Sequence, residues 1–176
     1  MSSKILLVSG GGGYILEKYN FKILHPDFDI IYIKNKKKNY LDISYEESDL
    51  ENLFHKLNNK EYKEIVLISF GSHLGGSDPG LYFKSIINLE NLLIKLSKIN
   101  KPIYIYHSSS FSIYCPINNS SLFSFLIKDK TDIRGPYAFS KIQQNKVIRN
   151  FVRNNYLAKS VIVHIGHVYD KKNKLI

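Results

Sequence analysis

The sequence predicts a doubly wound parallel α/β sheet, formed as one domain over residues 1–176. Three observations predict it. A short apolar run, Ile5-Leu6-Leu7-Val8, feeds directly into Gly10-Gly11-Gly12-Gly13 and then into a helical pattern, which makes a strand, glycine turn, helix unit. Further short apolar runs alternate along the chain with longer stretches of helical period, the order that builds parallel sheets. No internal repeat, linker or second composition interrupts this alternation.

Taken in order, residues 4–9 read as the first buried strand and 14–25 as the helix after the glycine turn. The breaker Pro26-Asp27 precedes a second strand at 29–33, with a short third one at 39–43 and a helix at 48–57. Residues 64–70 form the next strand, followed by Gly71-Ser72-His73 and a glycine-rich loop to Gly80. The helix at 81–99 carries Ile86, Ile87, Leu89, Leu92, Leu93, Ile94 and Leu96 around more of its cylinder than one core stripe requires, which predicts burial on two sides. A strand at 103–106 runs into Ser108-Ser109-Ser110, and residues 120–131 read as a loop with some helix. A helix begins at Tyr137, and 161–165 is the last strand.

The length suits one domain with a sizeable core, and no apolar run is long enough to span a membrane. The first residues enter a strand without the pattern of a secretory signal, so a cytoplasmic location is expected. Cys115 is the only cysteine, which excludes an internal disulfide and a cysteine zinc cluster and leaves it as a small residue in or near the core. The formal charge of +10 is mostly Lys, accompanied by many Asn, Ile and Tyr, all residues of A/T-rich codons. Runs such as Lys36-Lys37-Lys38 therefore read first as solvated surface. A nucleic-acid-binding module is disfavoured, because the charge is spread rather than interleaved with an exposed aromatic platform. His73, His107, His164 and His167 do not have metal-ligand spacing, and no metal is expected.

Chemistry is written most clearly in Tyr137-Ala138-Phe139-Ser140-Lys141. A tyrosine and a lysine four residues apart share one helix face. A phenol with a pKa near 10 exchanges protons poorly at neutral pH, and an ammonium close by is expected to lower that value. Read alone, the pair is also an ordinary solvated face. Its surroundings favour the catalytic reading: Gly135-Pro136 opens a helix, and Ile142, Val147, Ile148, Phe151 and Val152 follow at helical spacing. In a doubly wound sheet, ligands bind outside the carboxyl ends of the strands, so the glycine turn and the serine-rich end of the 103–106 strand belong to the same reading. The glycines let backbone N–H groups and a helix N-terminus approach a pyrophosphate.

With Ser109-Ser110-Phe111-Ser112-Ile113-Tyr114 beside the Tyr137/Lys141 helix, the chain resembles the short-chain dehydrogenase/reductase superfamily, in its extended NAD(P)-dependent sugar epimerase/dehydratase branch, whose cofactor domain is Rossmann-like. The first turn of that branch, T-G-G-x-G-F-I-G, resembles Ser9-Gly10-Gly11-Gly12-Gly13-Tyr14-Ile15-Leu16, with Leu16 in place of the third glycine. Its S-S-x-x-V-Y-G strand resembles the serine segment and makes Ser110 the catalytic serine. Leu41-Asp42-Ile43 resembles the adenine-contacting D-[LI], and Ser69-Phe70-Gly71 stands where the branch has L-A-A. The segment from Ser85 to Leu93 resembles N-V-x-G-T-x-N-L-L with Ser85 in place of the asparagine. The segment from Val163 to Asp170 resembles L-R-x-x-N-V-Y-G with His164 in place of the arginine.

The resemblance implies reversible hydride transfer between nicotinamide and a carbinol or carbonyl carbon of a small-molecule substrate, with a nucleotide sugar as the branch's characteristic class. Tyr137 would exchange the hydroxyl proton, Ser110 would hydrogen-bond the oxyanion, and Lys141 would hold the nicotinamide ribose and depress the tyrosine pKa. Gly10, Gly12, Gly13, Tyr14, Ile15, Asp42, Ile43 and Gly71 would line the cofactor. Lys34 occupies the second-strand end where an NAD-preferring protein carries Asp or Glu. Lys34 and Lys36 there favour the 2'-phosphate of NADP over NAD. A homodimer through the 81–99 and 137–154 helices is also implied. The branch usually continues into a C-terminal substrate lobe on the order of a hundred residues, which this sequence is expected to lack. Leu16, Ser85, His164 and that missing lobe keep open a second reading, a catalytically degenerate NAD(P)-binding or scaffold protein.

Overall fold

A computed structural model describes residues 4–9, 21–33, 47–59, 62–70, 79–114 and 135–165. Their elements, in chain order, are β1 (Lys4–Ser9), α1 (Phe21–Leu24), β2 (Phe28–Ile33), α2 (Glu47–Asn59), β3 (Glu64–Ser69), α3 (Pro79–Leu96), β4 (Ile103–Ser110), a 3-10 turn (Phe111–Tyr114), α4 (Gly135–Asn154) and β5 (Ala158–Ile165). The strands form one parallel sheet in the order β2-β1-β3-β4-β5. The α/β class and the parallel sheet are as the alternation of elements predicts. The expected strand at 39–43 lies outside the described residues, as does most of the helix expected at 14–25.

Alternation along each strand separates two cores. Ile5, Leu7, Ile65, Leu67, Ile103 and Ile105 point to one face, where Leu53 and Leu57 of α2, Leu92, Leu93 and Leu96 of α3 and Ile148 of α4 cover them. Leu6 and Val8 point to the other, against Phe21 of α1, with Val66 and Ile68 beside them. Helices on both faces make the sheet doubly wound.

Some boundaries differ from expectation. β4 continues four residues past Tyr106 to Ser110, because the polar residues from His107 to Ser110 pair in register with the segment from Ile162 to Ile165. β5 accordingly starts at Ala158 rather than at 161. α3 stops at Leu96, and a turn with Ile99 N–H bonded to the Leu96 carbonyl at 3.0 Å follows it. Within the chain α3 is buried on one side only: Leu89, Leu92, Leu93 and Leu96 are buried, whereas Phe83, Ile87 and Ile94 are 52%, 53% and 53% exposed.

Candidate active site

The strand order runs from β1 to β2 in one direction and from β1 through β3 and β4 to β5 in the other. The carboxyl ends of β1 and β3 therefore flank the point where the winding reverses, the place where doubly wound sheets bind ligands. Chemistry changes at that end. On the face covered by α3 and α4, Leu7, Leu67 and Ile105 give way two residues later to Ser9, Ser69 and His107, and β4 goes on to Ser109. All four polar residues are buried. A buried polar rung is costly unless it is bonded, so its partners define the site.

α4 supplies one of them, Asn145 for Ser109, and further side chains that reach the same strand ends. Its residues Tyr137, Lys141, Gln144, Asn145 and Ile148 recur at helical spacing, and the last four are buried. The Lys141 ammonium donates to the carbonyl oxygens of Phe70 at 2.8 Å and Ser108 at 2.7 Å. Ser108 Oγ donates to the same Phe70 carbonyl at 2.9 Å. Asn145 Nδ2 donates to Ser109 Oγ at 2.9 Å, and Gln144 Nε2 to Ser85 Oγ at 2.9 Å, which in turn donates to the Tyr82 carbonyl at 2.7 Å. His107 Nδ1 lies 3.2 Å from Ser69 Oγ. Helix α4 is thus pinned to the ends of β3 and β4 by side chains.

Tyr137, one turn before Lys141, is hydrogen-bonded to the Ser110 side chain. Its ring meets Tyr82 of α3 edge-on at 6.0 Å between centroids, and Lys141 Nζ lies 5.8 Å from its ring centre. The structure brings Ser110, Tyr137 and Lys141 together. Their electrostatics depart from expectation. Burial raises the Tyr137 pKa above 10.0, and the Ser110 bond opposes that rise. Burial also brings Lys141 down to about 7, so the lysine does not depress the phenol: its ammonium is directed at two carbonyls and is itself destabilised by desolvation. His107, buried near that ammonium, is held down to about 3 by desolvation first and the Lys141 charge second.

On the β5 side of Ser110, Phe111, Tyr114 and His164 group their rings, with Tyr114 Oη 3.1 Å from His164 Nε2. The expected cofactor residues Gly10, Gly12, Gly13, Tyr14, Ile15, Lys34, Lys36, Asp42, Ile43 and Gly71 lie outside the described residues. The sequence motifs assign no role to His107, Gln144 or Asn145, and include Ser69 only as the first residue of the L-A-A counterpart. The signal was available in the period-two pattern of β3 and β4, which places Ser69, His107 and Ser109 on the apolar face. Among the described residues no group of three His, Cys, Asp or Glu side chains is placed to hold a metal, and no helix is long and apolar enough to cross a membrane.

Solved structures share this architecture. A short-chain dehydrogenase/reductase superfamily protein from Agrobacterium tumefaciens with bound NAD matches 94% of this chain with a TM-score of 0.64 at 12% identity. The chain has the short-chain dehydrogenase/reductase fold. UDP-N-acetylglucosamine 4-epimerase from Bacillus cereus shares that fold with a TM-score of 0.65 at 17% identity over 94% of the chain. UDP-glucuronic acid 4-epimerase from the same organism, in complex with NAD, gives 0.61 at 17% identity, also over 94%. The chain spans about half the length of these dehydrogenase/reductase-fold proteins, 50%, 56% and 57% respectively. No family model matches the chain, and no curated protein does.

Proposed function

We propose that the protein is an NAD(P)-dependent oxidoreductase or epimerase acting through Tyr137, Lys141 and Ser110 on a carbonyl or sugar-nucleotide substrate. The observation that carries this reading is the hydrogen bond between Tyr137 and Ser110, with the Lys141 ammonium one helical turn away at the carboxyl ends of parallel strands. A nicotinamide cofactor, when bound, supplies the hydride donor or acceptor. Tyr137 Oη gives or takes the substrate hydroxyl proton, and Ser110 Oγ donates to the oxygen as negative charge develops on it. An ammonium has three N–H donors and Lys141 uses two on the Phe70 and Ser108 carbonyls, so one is left for a ribose hydroxyl. Gly10, Gly12, Gly13, Tyr14 and Ile15 are the proposed pyrophosphate turn, Asp42, Ile43 and Gly71 the adenosine-side contacts, and Lys34 with Lys36 the 2'-phosphate site that favours NADP over NAD.

The same reading assigns a second copy of the chain to α3. Phe83, Ile87 and Ile94 lie along one exposed helix face, and Phe139 of α4 adjoins Phe83 at 5.8 Å. A cytoplasmic location accords with the lone cysteine.

A nucleotide-binding scaffold without turnover is the second reading, favoured by one observation: in this arrangement Tyr137 is made a weaker acid, not a stronger one. Calorimetric titration with NADPH and NADH, followed by turnover assays with UDP-glucuronic acid and simple aldehydes, separates the two. Binding with turnover that Tyr137→Phe abolishes supports the enzyme; binding without turnover supports the scaffold. Failure of both nucleotides to bind overturns both.

A further inference from the structure

Ser69 and His107 are the last register pair of β3 and β4; beyond them the ladder between these strands stops. The next residue on each strand, Phe70 and Ser108, supplies a carbonyl to Lys141. The Phe70 N–H donates to Ser9 O of β1 at 3.3 Å. Side chains also span the gap that the lysine bridges, Ser108 Oγ donating directly to the Phe70 carbonyl at 2.9 Å. Among them, the contact between His107 Nδ1 and Ser69 Oγ at 3.2 Å sits one residue below the carbonyl pair and spans the same gap.

His107 occupies this position at a cost. Its neighbours on the same face of β4, Ile103 and Ile105, are core residues, whereas the imidazole is 1% exposed and its Nε2 has no hydrogen-bond partner among the described residues. An aliphatic residue there would extend the core without that penalty. The compensating contact is the one to Ser69. Lys141 faces His107 from α4, and Tyr137 adjoins Lys141 on the same helix, so a second buried cation beside the ammonium is disfavoured and the imidazole stays neutral.

We propose that His107 is a positioning residue: through Ser69 it sets the separation of the Phe70 and Ser108 carbonyls, and so the geometry in which Lys141 is held. This goes beyond the reaction assigned above and rests on it only for the use to which Lys141 is put.

The test needs neither cofactor nor substrate. In the full chain labelled at lysine Cε, carbon NMR follows the titration of Lys141, whose resonance is identified by its loss in Lys141→Met. Ser69→Ala and His107→Phe each release the gap, so the ammonium loses well-placed acceptors and its midpoint moves down by about one pH unit. The double variant moves no further than either single one. His107→Asn, whose amide can still bond Ser69, restores the original midpoint. Ser69→Ala is a small truncation and decides the matter alone if His107→Phe does not fold. An unchanged midpoint in Ser69→Ala overturns the proposal, as does a double variant whose shift is the sum of the two. Because no nicotinamide enters the measurement, these outcomes are separate from failure to bind or turn over.

Discussion

Lys141 Nζ donates to the Ser108 carbonyl at 2.7 Å, two residues before Ser110 on the same strand, so this helix residue is tied to the strand end that carries the proposed oxyanion donor. The ammonium does this while buried, with its pKa brought from 10.5 to about 7. An unfolded chain keeps this lysine protonated up to its ordinary value. Between about pH 7 and 10 the unfolded state therefore binds the extra proton, and stability rises with pH. Thermal melts are expected to show this rise, and Lys141→Met, which keeps the stem and removes the charge, is expected to flatten it. Parallel curves for the two proteins would count against a buried ammonium.

His107 has the opposite vulnerability. Its folded pKa is about 3 against an ordinary 6.5, so the stability associated with the neutral imidazole is complete above 6.5 and is lost as pH falls towards 3. His107→Asn keeps an amide for Ser69 but takes up no proton. The acid-unfolding midpoint, followed by circular dichroism, is expected at lower pH in this variant. A midpoint unchanged from the parent would mean that other groups control acid unfolding.

Much of this arrangement was legible in the sequence, and the parts that were not have physical reasons. Ile5-Leu6-Leu7-Val8 and residues 64–70 announce buried strands because apolar runs of that length bounded by breakers have few other uses. The closeness of Ser110, Tyr137 and Lys141 followed from motif order in a sheet of known winding. The end of β4 did not, because His107-Ser108-Ser109-Ser110 has weak strand propensity and is held by pairing with β5, a contact 55 residues away in sequence for the Ser110↔Ile165 pair. The direction of the Tyr137 shift was missed for a related reason. Spacing says that a lysine is near, but not that its charge is spent on the Phe70 and Ser108 carbonyls or that both groups are desolvated.

Tyr137 and Ser110 give a measurable pair. Burial raises the phenol pKa and the Ser110 bond lowers it, so Ser110→Ala is expected to raise it further. Carbon NMR of labelled tyrosine, with Tyr137→Phe for assignment, reads the change. In the proposed reaction, Tyr137→Phe should reduce turnover by about 10²- to 10⁴-fold while leaving cofactor affinity intact. Comparable loss of affinity and turnover would reassign the residue to binding.

The exposed face of α3 makes a fourth expectation concrete. Ile87, 53% exposed, lies one turn from Phe83 on the proposed subunit contact. Light scattering of the parent chain at micromolar concentration is expected to give a dimer mass, and Ile87→Glu a monomer that retains its circular dichroism spectrum, since a charge buried in an apolar contact is strongly unfavourable. A monomeric parent removes the dimer from the reading.

Cofactor choice is the prediction on which the oxidoreductase reading depends most. An NAD-preferring strand end needs a carboxylate for the ribose 2'-hydroxyl; in the proposed assignment the corresponding residue is Lys34, with Lys36 two positions on. A 2'-phosphate brings negative charge that these lysines can meet and that NADH lacks, so NADPH is expected to bind more tightly. Salt should erode that preference, because the lysine–phosphate attraction is screened while contacts shared by both nucleotides are not. Lys34→Asp replaces attraction with repulsion for NADPH and offers NADH an acceptor, so the ratio of dissociation constants should reverse or flatten. Calorimetry on parent and variant decides it: tighter NADH binding by the parent, or a Lys34→Asp variant with an unchanged ratio, would show that the lysines do not read the ribose.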